Sequence, residues 1–209
     1  VYLTGVVPTP AVAYLARQVH ADAGIAITAS HNPMKDNGIK FFAGDGYKLP
    51  DEIEAEIEDY VDGFDDLPRP EGAGVGRMYH VHDMLSRYID HVLNGFPHRL
   101  EGVRIVIDCA NGAVSEAAPR VFSDLGAEIT IINNSPDGIN INEGAGSLYP
   151  ERLQELVLSH GATLGMAFDG DGDRAILVDD KGHLVDGDHV MALTAIHMAE
   201  RGRLPGMGV

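Results

Sequence analysis

A chain of 209 residues with 44% hydrophobic and 22% charged residues has the make-up of one or two globular domains. Its formal charge of −17 excludes nucleic acid and anionic membrane surfaces as general partners, since both need clustered Lys and Arg, and no apolar run approaches the ~20 residues that span a bilayer. A single cysteine, Cys109, excludes an internal disulfide and suits a reducing cytoplasm.

In chain order, "VYLTGVV" reads as a strand and "TPAVAYLARQVHA" as a helix, with Thr9 as its cap and Pro10 in the first turn. "GIAITA" is a short buried strand that stops at a Ser30-His31-Asn32-Pro33 corner. "IKFFA" resumes as a second strand, carrying Lys40. A helix from about Asp51 to Tyr60 follows, with Ile53, Ile57 and Val61 at helical spacing and many acids on a solvated face. Residues 62–77 are rich in Gly, Pro and acids without periodicity, a linker composition that divides the chain into units 1–76 and 77–209.

The second unit opens with "YHVHDMLSRYIDHVLNGF", read as a helix with His80 and His82 at its start. Strands "VRIVIDCA", "EITIIN", "TLGMAF" and "AILVDD" then alternate with helices around Ser115–Leu125 and over "PERLQELVLSHG". A Lys181-Gly182 turn makes a hairpin, and a last helix runs from about Gly187 to Gly202, with "VDGD" at its cap. This alternation predicts an α/β layered fold, and the hairpin makes its sheet mixed. The chain opens without Met on a strand and stops at "LPGMGV", where another strand could begin, which predicts a piece of a longer protein.

The sharpest chemistry lies in "AFDGDGDRAILVDD". Asp169, Asp171 and Asp173 alternate with glycines, so that three carboxylates project to one side of an extended segment, and Arg174 follows. Carboxylates gathered in this way repel unless a cation neutralises them, and hard oxygens suit Mg²⁺ or Ca²⁺. An EF-hand begun at Asp169 would need Gly at its sixth and Glu at its twelfth position, where Arg174 and Asp180 stand. Mg²⁺ awaiting a phosphate oxygen is therefore preferred. If the Ser30 corner faces the same cleft, its hydroxyl can carry a phosphoryl group beside the metal. Lys40, Arg174 and His31 can then supply charge and proton transfer.

"TASHNP", "DNGIKFF" and "FDGDGDR" resemble the phosphoserine loop, the lysine strand after it and the metal loop of the α-D-phosphohexomutases. "VVPTPAVAYL" and "AFDGDGDRAILVD…VDGD" resemble in particular the bacterial members acting on glucosamine phosphates. The resemblance implies two consecutive three-layer α/β/α units with mixed β-sheets, 1–76 and 77–209, within a four-domain architecture. It implies a phosphorylated Ser30, which also contacts the Mg²⁺ held by Asp169, Asp171 and Asp173, and Lys40, His31 and Arg174 as catalytic residues. The implied reaction interconverts glucosamine 6-phosphate and glucosamine 1-phosphate through a 1,6-bisphosphate, feeding UDP-N-acetylglucosamine and peptidoglycan synthesis in the cytoplasm. The implied partners are a phosphosugar and a second copy in a homodimer, and little turnover is expected from these residues alone. One departure is "SLYP" at 147–150, where relatives often read Ser-Thr-His-Pro.

Plainer readings stay beside these. Ser30 can be a turn serine, Lys40 a strand-edge lysine, Arg174 a partner of its acidic neighbours, and His31 a residue that positions the loop. Cys109 reads as a small buried residue, and the Asn residues 133, 134, 140 and 142 as parts of a polar loop. Other outcomes for the whole are a phosphomannomutase or phosphoglucomutase, a phosphatase, and a metal-binding module without turnover.

Overall fold

The computed structural model describes residues 1–63 and 67–207. Residues 64–66, near the start of the Gly- and Pro-rich linker, and the last two residues of "LPGMGV" lie outside the described residues.

The second unit is built on a mixed five-stranded sheet. Its strands are β5 (Arg104–Asp108), β6 (Glu128–Ile132), β7 (Leu164–Phe168), β8 (Ala175–Val178) and β9 (Leu184–Val185), in the order β6-β5-β7-β8-β9. The first three are parallel, and β8 and β9 run antiparallel, as the hairpin required. β5 is a continuous apolar run because both its faces are covered. Val106 turns with Ala167 and Val178 toward α5 (Glu151–His160), where Leu153 and Val157 are fully buried. Ile105 and Ile107 turn the other way, toward Val114 and Ala118 of α4 (Ala117–Asp124) and the segment leading into it. This is an α/β/α sandwich, and period-two alternation along β5 is enough to build it.

The first unit contributes an antiparallel pair, β2 (Ala23–Thr28) and β3 (Gly38–Ala43), with α1 (Thr9–Gln18) packed against it. The register sets Lys40 opposite Ala26, and Ile27 opposite Ile39. Ile25, Ile27 and Ile39 are exposed, and α2 (Asp51–Asp62) buries none of its residues. A third apolar cluster joins the units, with Val7, Ala11 and Leu15 from α1 and its lead-in, Met84, Leu85 and Ile89 from α3 (Met84–Gly95), and Val121 from α4. α6 (Gly187–Glu200) begins as read, with the Asp186 side chain accepting from the backbone N–H of His189. Among the described residues no helix is long and apolar enough to cross a membrane.

Three local readings need correction. β2, read as a buried strand, is buried on one face only, with Ile25 and Ile27 on its exposed face. Thr9 does not cap α1, because Pro8 holds the cap position and the Thr9 hydroxyl is engaged across the cleft. The helix expected from Tyr79 starts only at Met84. Tyr79–His80 forms a strand, β4, paired in parallel with β1 (Tyr2–Leu3). Tyr79 donates its N–H to Val1 O at 2.9 Å and Val81 donates to Leu3 O at 3.1 Å. That ladder takes His80 off a helix and overrides a local helical pattern.

Cys109 is fully buried at the end of β5, and burial, with the nearby Asp108 charge, pushes its thiol up to about 12. We predict that in the folded protein Cys109 reacts with an aromatic disulfide reagent at pH 8 more than about a hundredfold slower than in denaturant. Equal rates would show that this core is open.

Candidate active site

β5 is followed by β6 on one side and flanked by β7 on the other, so the order in which strands are added reverses between β5 and β7. A crevice opens beyond the carboxyl ends of strands at such a point. Asp108 closes β5 there, and the Asp169–Arg174 loop leaves β7 there.

Asp169 and Asp171 are almost wholly buried and Asp173 is exposed; one oxygen from each lies within 4.8 Å of the others. Lys40 reaches over from β3. Its Nζ donates to Asp171 Oδ2 at 2.6 Å and to Asp173 Oδ2 at 3.3 Å. The Thr9 hydroxyl donates to the same Asp171 oxygen at 3.0 Å, and the Thr9 N–H to the Asp171 carbonyl at 2.9 Å. Arg174 Nε lies 3.6 Å from both Asp169 Oδ2 and Asp173 Oδ1. Its Nη2 donates to His31 Nδ1 at 2.6 Å. A guanidinium cannot accept, so His31 in this pairing carries its proton on Nε2.

The charges are unequally balanced. Burial, aided by the charges of Asp171 and Asp173 and opposed by the Arg174 backbone N–H, pushes Asp169 up to about 7. Burial acts in the same direction on Asp171, but the Lys40 and Thr9 hydrogen bonds and the Lys40 charge outweigh it and hold that carboxyl below its usual range. Lys40 is lowered by partial burial and raised more by its two aspartates, so it stays an ammonium. Asp169 Oδ2 is buried without a hydrogen-bond partner. An orphaned carboxylate oxygen beside two more carboxylates is a donor set that fits a hard divalent cation.

Ser30 stands two residues beyond β2 and has a φ of +54°, uncommon for a residue with a side chain. The Thr28 hydroxyl accepts its N–H at 2.9 Å. The Ser30 hydroxyl makes a long contact, 3.5 Å, with Asp171 Oδ1. Hydrogen bonds and ion pairs thus bring Ser30, Lys40, His31, Arg174 and the three aspartates, all singled out from the sequence, together in one cluster.

Three further residues shape this pocket and were not singled out for it. Thr9 braces Asp171. Asn142, read as one of several polar-loop residues, donates through Nδ2 to Ser30 O at 2.9 Å and to Asn32 O at 2.8 Å. Asp108 accepts from Ala110 N, Asn133 Nδ2 and Gly146 N at 2.9–3.0 Å, fixing the loops around the crevice. An acid ending an apolar strand was the available signal for Asp108, because a buried carboxylate must find donors. The "SLYP" stretch folds into a short 3-10 turn at Gly146–Leu148, with Leu148 and Tyr149 exposed.

Residues 1–66 match the family model described as phosphoglucomutase/phosphomannomutase, alpha/beta/alpha domain I, and residues 86–182 match its alpha/beta/alpha domain II. The chain belongs to the phosphoglucomutase/phosphomannomutase family. Over 203 residues it is 53% identical to a phosphoglucosamine mutase of Moorella thermoacetica, covering 97% of this chain and 46% of that protein. A phosphoglucomutase/phosphomannomutase family protein from Burkholderia thailandensis shares the fold with a TM-score of 0.75 at 27% identity, over 96% of this chain and 44% of that one. An Aspergillus fumigatus N-acetylphosphoglucosamine mutase, solved with GlcNAc-6P and magnesium, shares the fold with a TM-score of 0.61 at 19% identity, over 94% of this chain and 53% of that one. The chain spans about half the length of the curated relatives it matches.

Gly170 is a tight point of this site, set directly against the Ser30 loop. A Cβ there would stand 2.5 Å from Ser30 O and 2.8 Å from Asn142 Nδ2, and its carbonyl accepts the Ala113 N–H at 2.8 Å. We predict that Gly170→Ala destabilises the protein by about 1–3 kcal/mol in urea unfolding. Unchanged stability would mean that the two loops separate freely.

Proposed function

We propose that this chain carries the phosphoryl-accepting serine and the metal cradle of a phosphoglucosamine mutase, which interconverts glucosamine 6-phosphate and glucosamine 1-phosphate through a 1,6-bisphosphate. The observation that carries this reading is the meeting of the Ser30 hydroxyl with the triple-aspartate cluster. The preference for glucosamine follows the 53% identity with a protein of that name.

In this reading Asp169, Asp171 and Asp173, with an oxygen on Ser30, hold Mg²⁺. Bound there, the ion offsets the negative charge of the transferring phosphoryl group. The protein's own part is positioning and proton management. In the first half-reaction a sugar hydroxyl attacks the phosphorus on Ser30, the P–Oγ bond breaks, and the serine oxygen gains the proton that the sugar loses. The second half-reaction runs in reverse at the other end of the bisphosphate. Lys40, an ammonium between Asp171 and Asp173, is placed to give its proton to the serine oxygen as the P–Oγ bond breaks and to regain one from the attacking sugar hydroxyl. Arg174, held by His31, offers its remaining N–H groups to phosphoryl oxygens. Thr9 and Lys40 together occupy Asp171 Oδ2, leaving Oδ1 toward Ser30.

The same reading assigns 1–76 to the phosphoserine domain and 77–209 to the metal-loop domain of a cytoplasmic enzyme that supplies UDP-N-acetylglucosamine. The activity belongs to the full-length protein, with little turnover from these 209 residues alone.

In the full-length protein we predict that Ser30→Ala lowers mutase turnover by on the order of a thousandfold or more. Intact mass should show one phosphate on the wild type and none on the variant. Wild-type turnover by Ser30→Ala would remove the serine from the mechanism. Chelation with EDTA should abolish turnover and added Mg²⁺ restore it; full activity in EDTA would overturn the metal assignment. Rates compared across glucosamine, glucose and mannose phosphates test the substrate, and a preference for mannose 1-phosphate would make the enzyme a phosphomannomutase.

A further inference from the structure

We propose that Asn142 is a positioning residue that fixes the direction in which Ser30 presents its hydroxyl. The inference rests on the reading of Ser30 as the phosphoryl carrier. Asn142 is almost wholly buried, and its Nδ2 donates to the carbonyls of Ser30 and Asn32. A carboxamide has two N–H donors, so both are committed to the nucleophile's loop. The Ser30 carbonyl belongs to the residue whose left-handed φ aims Oγ at Asp171, and such a conformation persists where its surroundings hold it in place.

The anchor behind Asn142 is firm. Its own φ is +58°, which Asn tolerates better than most residues, and its N–H donates to Ala110 O at 2.9 Å. Ala110 in turn donates to the fully buried Asp108 at the carboxyl end of β5. A run of hydrogen bonds therefore leads from β5 of one unit to the serine backbone of the other. No other proteinogenic side chain of this size offers two donors at a positive φ. Asp would set an acceptor against two carbonyls, and Gly would keep the backbone while removing the donors.

The test uses full-length protein with N142D and N142G, steady-state kinetics, and hydrogen–deuterium exchange read peptide by peptide. We expect N142D to lower kcat about a hundredfold while KM for the sugar phosphate stays within about threefold. Exchange should rise over residues 29–37 and stay at the wild-type level in β5 and β7. N142G should shift both readouts in the same direction by less, and it stands in if N142D does not fold. Wild-type kcat together with wild-type exchange at 29–37 would overturn the proposal. So would a kcat loss accompanied by raised exchange throughout β5 and β7, which marks general loosening. If the unmodified protein lacks mutase turnover and carries no phosphate on Ser30, the functional reading fails. The exchange arm then still decides whether Asn142 holds the loop.

Discussion

Backbone lying directly on backbone at Gly170 is the constraint from which the site follows. The Asp169–Arg174 loop leaves β7 and passes between the Ser30 carbonyl on one side and the Gly112–Ala113 turn on the other. There is no room for a side chain in that gap, and the space saved lets Asp169, Asp171 and Asp173 face a serine from a different unit. Glycines between the acids thus bring the two corners together as well as allowing the loop to turn.

Concentrating three carboxylates in a chain already strongly acidic is unfavourable, and the fold answers locally. Lys40 and Arg174 set two cations against three acids, and Thr9 adds a neutral donor. The remainder is concentrated on Asp169, whose buried Oδ2 lacks a hydrogen-bond partner. The site is therefore short of positive charge where a metal ion is proposed to come, and uncompensated charge of this sort is characteristic of functional pockets.

Much of this was legible in the sequence, for identifiable reasons. β5 and β7 are apolar runs long enough to declare themselves, and the acids alternating with glycines after a strand were legible as a cluster. A turn closed by Gly172 N–H on Asp169 O, not the extended segment expected, gathers them. Lys40 and Arg174 stand beside recognisable turns. Thr9 and Asn142 were not legible, because their partners lie 162 and 112 residues away and a lone polar residue has no periodicity to betray it. The β1–β4 ladder was hidden for a similar reason. Each strand has two residues, and "YHVHD" scores as helix when read alone because the strand that pairs with it lies at the other end of the first unit. Local pattern reports local structure; contacts between units come from packing.

The apolar cluster shared by α1, α3 and α4 has a consequence for how this architecture can vary. Leu15, Ile89 and Val121 touch no reactive group, yet they join the body bearing the serine to the body bearing the aspartates. The gap between Ser30 and the aspartates is therefore gauged from behind, by the thickness of a greasy seam. A methylene gained or lost there would retune the mouth of the cleft while every polar residue in it stayed the same.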